Sequence, residues 1–243
     1  MNLWTLLPLL AALAPAPVRT ENLALVDAAR SRSVPVVVYS APAGVAPKSR
    51  VALLSHGYGG KSTDYSFIAT ALAARGFLVA SVQHEVPGDE PLPTTGKPAE
   101  VRRPSWERGV ANVRFAIREL KKRYSAADWG SLVLIGHSQG GDTAMLFATQ
   151  TPNEVSAVVS LDNRRMPFPR VLKPRILSLR SSDQVADEGV LPTPEEQTKF
   201  GMRLVKLPAT IHNDMWDGAT DVQKSEMLAP ILEFLNLAPR PTS

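Results

Sequence analysis

The stretch Gly136-His137-Ser138-Gln139-Gly140-Gly141 narrows what this chain can fold into more than any other. It follows the apolar run 132–135, which reads as a strand, and precedes the helix-like segment 142–150. A serine between a strand and a helix sits on a sharp turn with a strained backbone. Glycines must flank such a residue, because a β-carbon there would collide with the neighbouring strand or helix. The turn lifts the hydroxyl toward solvent and aims the first amides of the helix at any oxyanion formed there.

The rest of the chain fits the same plan. Residues 23–26 and 35–39 flank a polar turn and read as an antiparallel edge pair. Residues 51–55 are a short continuous apolar run, as expected of a strand buried on both faces, and end at His56-Gly57-Tyr58-Gly59-Gly60. Helical spacing over 62–75 stops at Gly76, a C-cap, and 77–82 is the next strand. The proline-rich 86–104 has no periodicity and reads as a long loop, and 105–124 as a helix with Ser105 as its N-cap. Strands at 155–161, 175–179 and 203–207 and a closing amphipathic helix at 222–237 complete the pattern. Strands alternating with helices predict an α/β fold, a mostly parallel sheet of about eight strands covered on both faces.

A length of 243 residues suits one such domain, taken as 21–243, and a hydrophobic share of 44% supplies its core. The net charge of +4 is scattered or lies on helix faces, and no aromatic-interleaved basic stripe marks a nucleic-acid binder. The chain has no cysteine, which excludes disulfides and a thiol nucleophile. Residues 3–14 form an apolar stretch with small-residue cleavage options, so 1–20 is read as an export signal or N-terminal segment. The stretch is too short to span a bilayer. Export to the periplasm or medium is the preferred reading, and a cytoplasmic protein the alternative.

A serine hydroxyl attacks carbonyls only with a base in hydrogen-bond reach and a third group fixing that base's tautomer. Of the four histidines, His56 belongs to the glycine loop, His84 ends a strand and His137 is the elbow's own neighbour. His212, after the last strand, is therefore the candidate base. If the order serine, acid, histidine applies, the acid lies between 138 and 212. Asp183, after the strand 175–179, is preferred, Asp162 is the alternative, and Asp187 and Asp214 trail both. The amides of Tyr58 and Gln139 are the candidate oxyanion donors. Tyr58, Tyr65, Trp106, Met215 and Trp216 are candidates for an apolar acyl pocket, and Arg164 for contact with an acidic or phosphate-bearing ester. His56 and His84 lack companions at ligand spacing, so no metal is expected.

With those residues in place, the chain resembles the serine hydrolases of the α/β-hydrolase superfamily from about residue 35 to 235. Leu53-Leu54-Ser55-His56-Gly57-Tyr58-Gly59-Gly60, Asp64-Tyr65, the run from Gly76 to His84 and the elbow are similar to the platelet-activating-factor acetylhydrolase and dienelactone-hydrolase-like branch. The resemblance implies a cofactor-free hydrolase of small-molecule esters with short acyl groups; acyl transfer through the same residues is the alternative, and a non-catalytic binding protein on this scaffold ranks below both. In the acetylhydrolase pattern the acid closes a Leu-Asp pair after the strand following the elbow, which maps onto Leu161-Asp162. Asp183 holds the commoner place and stays the preferred acid. Dienelactone hydrolases carry cysteine at the elbow, and Ser138 departs from them there.

Overall fold

The computed structural model describes residues 17–237. Eight strands form one sheet: β1 (Arg19–Asp27), β2 (Arg32–Ser40), β3 (Arg50–Ser55), β4 (Leu78–Val82), β5 (Asp128–His137), β6 (Ala157–Leu161), β7 (Arg175–Arg180) and β8 (Arg203–Lys206). Their spatial order is β1-β2-β4-β3-β5-β6-β7-β8. β1 and β2 run antiparallel at one edge, and every pairing from β4 to β8 is parallel. The alternation of strands and helices in the sequence is thus realised as an α/β sheet. The export segment proposed for 1–20 falls mostly outside the described residues, although β1 already begins at Arg19. Among the described residues no helix is long and apolar enough to cross a membrane.

Among the described residues six helices accompany the sheet: α1 (Ser66–Ala73), α2 (Pro98–Val101), α3 (Arg103–Arg123), α4 (Gln139–Gln150), α5 (Pro194–Phe200) and α6 (Asp221–Phe234). Because neighbouring strand residues point to opposite faces, the apolar runs feed two cores. Leu53 and Leu134 pack with Trp106, Val110 and Phe147 from α3 and α4 on one face. Leu54 and Ile135 pack with Ile68, Leu72, Met227 and Ile231 from α1 and α6 on the other. Burying each large side chain of this kind stabilises by roughly 1.5–3 kcal/mol, so both faces hold the strand ends in place.

The departures from the sequence reading have local causes. α1 starts at Ser66 because Asp217, far along the chain, receives the Ser66 and Phe67 amides at 2.9 and 3.0 Å and so caps the helix. α3 starts at Arg103, since Pro104 suits a first helical turn; Ser105 is therefore inside the helix and does not cap it. Its hydroxyl accepts from the Gln139 side chain at 3.2 Å. The loop 86–104 contains the short α2. α5 was not anticipated, although Thr193 and Glu196 form a capping box that the sequence displays.

One crossover positions the site. The chain passes from β3 to β4 on one side and later enters β5 on the other, so β3 lies between them. At such a switch point the loops leaving the carboxyl ends of adjacent strands part and open a crevice. Here those loops carry His56-Gly57 from β3 and Ser138 from β5.

Candidate active site

Ser138 links β5 to α4 with φ 50° and ψ −115°, a conformation L-residues rarely adopt and one that costs about 1–3 kcal/mol. Close packing enforces it. A β-carbon at Gly136 would lie 2.2 Å from the Gly140 carbonyl oxygen, and one at Gly140 would lie 2.2 Å from the Ser55 carbonyl oxygen. Both obstacles are backbone and cannot swing away. Gly140→Ala is therefore expected to lower stability by about 3 kcal/mol, near the upper end for overpacking and despite alanine's better helix propensity. In Gly130, where an added β-carbon meets only the Asp128 side chain at 3.4 Å, the same change should stay within about 0.5 kcal/mol. Urea unfolding of the two variants measures the contrast, and equal midpoints would refute the steric account of the elbow.

His212 arrives on a short 3-10 turn after β8 and is buried. Its Nε2 lies 3.0 Å from Ser138 Oγ. Its Nδ1 lies 2.6 Å from Asp162 Oδ2. A carboxylate only accepts, so Nδ1 carries the proton and Nε2 presents its lone pair to the hydroxyl. The sequence reading favoured Asp183 for this contact, and the structure corrects it. Asp183 is exposed on its loop, and its Oδ1 accepts the His212 backbone amide at 2.7 Å, not the ring. Hydrogen bonds from the Gln184 side chain and the His212 amide lower its pKa to about 2.

Asp162 immediately follows β6 in a left-handed conformation, φ 57°, that turns its carboxylate toward the sheet's carboxyl edge. It is fully buried. Burial pushes its pKa up, but the bond to His212, the Arg180 guanidinium at 2.8 Å and the Ser181 hydroxyl at 2.7 Å outweigh burial and hold it below the usual range. These contacts favour the ionised form of Asp162.

Two further polar networks fix the loops around Ser138. The Gly57 amide donates to Tyr65 Oη at 3.2 Å, the Tyr65 hydroxyl donates to His137 Nδ1 at 2.7 Å, and His137 Nε2 donates to the His212 carbonyl at 3.1 Å. This relay requires a neutral His137, and burial together with the nearby His212 lowers its pKa to about 3. Glu85 accepts the Gly59 amide through Oε2 and the Gln139 side chain through Oε1, both at 3.0 Å, tying the glycine loop to the elbow. Burial raises the Glu85 pKa against the pull of the Gly59 amide. The sequence reading assigned no role to His137 or Glu85, and no local signal pairs them with partners so far along the chain.

The other candidates sort by position. The amides of Tyr58 and Gln139 donate to no acceptor within the described residues, and both residues border the crevice at Ser138. Tyr65 and Trp216 line its wider mouth together with His212. Arg164 borders both this mouth and the deeper cavity that Trp106 lines. Met215 is the exception: it is fully buried in the core shared with α6 and does not face the crevice. His56 spends both ring nitrogens on backbone, Nδ1 on the Gly57 carbonyl at 2.8 Å and Nε2 on the His84 amide at 2.9 Å, so it has no lone pair for a metal.

A strained serine at a strand-to-helix elbow beside a switch point, with a histidine from beyond the last strand, defines an architecture. The chain has the α/β-hydrolase fold. Residues 46–161 match the serine aminopeptidase S33 family. A ferulic acid esterase from Streptomyces cinnamoneus superimposes with TM-score 0.63 at 23% identity, covering 85% of this chain and 78% of that one. A structure from work on two Rhizomucor miehei esterases gives TM-score 0.69 at 14% identity, covering 93% and 84%. A putative dienelactone hydrolase from Klebsiella pneumoniae gives 0.65 at 13%, covering 92% and 100%. No curated protein matches the chain in sequence. What the chain shares with these structures is the fold.

Proposed function

We propose that this protein hydrolyses carboxylic esters of small acids through Ser138, His212 and Asp162 by way of an acyl-enzyme. The observation that carries the reading is the unbroken contact from Ser138 Oγ through the His212 ring to Asp162. In the first half-reaction Ser138 Oγ bonds to the ester carbonyl carbon while His212 Nε2 takes the hydroxyl proton. The carbonyl oxygen becomes an oxyanion within reach of the Tyr58 and Gln139 amides, each such donor being worth about 3 kcal/mol in the transition state. His212 then returns the proton to the departing alcohol oxygen. Water, deprotonated by the same nitrogen, releases the acid and restores Ser138.

Asp162 stays ionised throughout, orienting the imidazole and stabilising its cation. His137, Tyr65 and Glu85 do not touch the reacting atoms; they hold the glycine loop, the elbow and the His212 loop at fixed spacing. A fluorophosphonate probe tests the reading on the unaltered protein. Mass spectrometry should place the adduct on the peptide containing Ser138, in competition with p-nitrophenyl acetate. Absence of an adduct, or an adduct on another serine, would sink the proposal.

A further inference from the structure

Ser138 borders two spaces, and their chemistry differs. The wider mouth contains His212, Asn213 and Trp216. The deeper cavity, about 230 Å³, contains Arg102, Arg164, Arg165, Trp106 and Asp142 but not His212. The imidazole must reach the leaving oxygen to protonate it, so the alcohol departs on the His212 side. The acyl chain is left the arginine-lined cavity.

Charge within that cavity is unbalanced. Arg165 pairs with Asp187, and the neutral Gln184 is the Arg164 side chain's partner. Arg102 forms no ion pair among the described residues, and its Nε is buried without an acceptor. The Trp106 indole N–H is likewise buried and unpartnered, in a side chain only 1% exposed. Asp142 opposes them, but its Oδ1 already accepts the Arg165 and Met166 amides at 3.0 and 2.8 Å. Burial raises its pKa to about 6 against those donors. With Asp187 and Asp142 set against three guanidiniums, one positive charge is left over. That favours a singly charged carboxylate over a dianionic phosphate. A site for a substrate ammonium, as an aminopeptidase needs, would show the opposite excess.

We infer that this cavity binds a carboxylate at the far end of the acyl chain, so that the preferred substrates are monoesters of small dicarboxylic acids, with the Arg102 and Arg164 guanidiniums as its donors. The inference rests on the ester-hydrolase reading above. Guanidinium matches a carboxylate fork in both geometry and charge, and the contact strengthens when water is excluded.

The test compares monoethyl succinate, glutarate and adipate with ethyl butyrate, pentanoate and hexanoate, following ethanol release. Each charged ester thus has a neutral partner of equal acyl length. The best charged ester should exceed its partner in kcat/KM by about tenfold or more, the scale of one charge-assisted hydrogen bond, chiefly through KM. In Arg102→Gln and Arg164→Gln the ratio should fall toward one. The free diacid should inhibit p-nitrophenyl acetate hydrolysis competitively, and the variants should weaken that inhibition. Equal or better turnover of the neutral esters at every length, or a preference that survives in both variants, would overturn the inference. p-Nitrophenyl acetate carries no carboxylate on its acyl group, so it separates the two claims. If it is hydrolysed without any charge preference among the longer esters, only the carboxylate site fails; if it is not hydrolysed, the ester-hydrolase reading fails and takes the site with it.

Discussion

Ser138→Ala is expected to lower kcat for p-nitrophenyl acetate by about 10⁶-fold, and His212→Ala by nearly as much, with the double variant scarcely worse than either. The reason is that the two side chains act as one unit. Without the hydroxyl there is no acyl-enzyme for the imidazole to assist, and without the imidazole the hydroxyl keeps its proton and is a negligible nucleophile at neutral pH. The Oγ to Nε2 distance of 3.0 Å means that no rearrangement precedes proton transfer. What survives should be the effect of the Tyr58 and Gln139 amides on attack by water, a residual of roughly 10³ over the uncatalysed rate. Ala at 138 must still adopt φ near 50°, so folding should be tested alongside by circular dichroism and urea unfolding. Activity within tenfold of the parent in a folded Ser138→Ala protein, or losses that multiply in the double variant, would show that another group performs the chemistry.

The parts of this molecule that the sequence discloses are those governed by local pattern. Residues 51–55 and 132–135 are apolar without interruption because both sheet faces are covered, and that continuity marks them as central parallel strands. The elbow is legible because its glycines answer to contacts within a few residues and with the two adjacent strands. His212 is reached by elimination among four histidines. The choice between Asp162 and Asp183 is of another kind. Both leave the carboxyl edge of the sheet, one after β6 and one after β7, and each bonds to His212. What separates them is a single left-handed backbone conformation at Asp162 and the burial that Arg180 and Ser181 complete around it. No periodicity encodes that; position at a strand end makes Asp162 a candidate, and the resemblance to the Leu-Asp pattern adds weight to it without deciding the choice. His137 and Glu85 escaped for the same reason, and Tyr65 reads from the sequence only as a pocket residue, since the partners Tyr65, Gln139 and His212 that tie these residues together lie tens of residues away and are chosen by packing. Met215 reads as an acyl-pocket residue beside Trp216, yet the tight turn at 212–214 sends it into the core.

Asp162→Asn should reduce kcat by about 10⁴-fold, equivalent to about 5.4 kcal/mol, whereas Asp183→Asn should cost less than about tenfold. An asparagine at 162 that keeps the Arg180 and Ser181 contacts can turn its amide N–H₂ toward His212, forcing the ring to accept at Nδ1 and to carry its proton on Nε2. That nitrogen then faces Ser138 as a donor and can no longer take the hydroxyl proton. At 183 the amide oxygen can still accept the His212 backbone N–H, so the loop and the tautomer both survive. Stability supplies an independent reading. The ionised Asp162 contributes to folding at every pH above its unfolded value of about 3.8, and the contribution is lost as pH falls through the lowered folded value. Asp162→Asn leaves the buried Arg180 guanidinium without its anion, so its stability deficit should be largest near neutrality and shrink on acidification, where the parent loses the same pairing. Asp183 also has a lowered pKa, but its exposed side chain is screened, and its variant should track the parent across pH. Turnover of p-nitrophenyl acetate with urea unfolding at several pH values separates the cases. If Asp183→Asn collapses turnover while a folded Asp162→Asn enzyme retains it, the assignment of the acid to the end of β6 is wrong, and the orientation of His212 must be traced to the β7 loop.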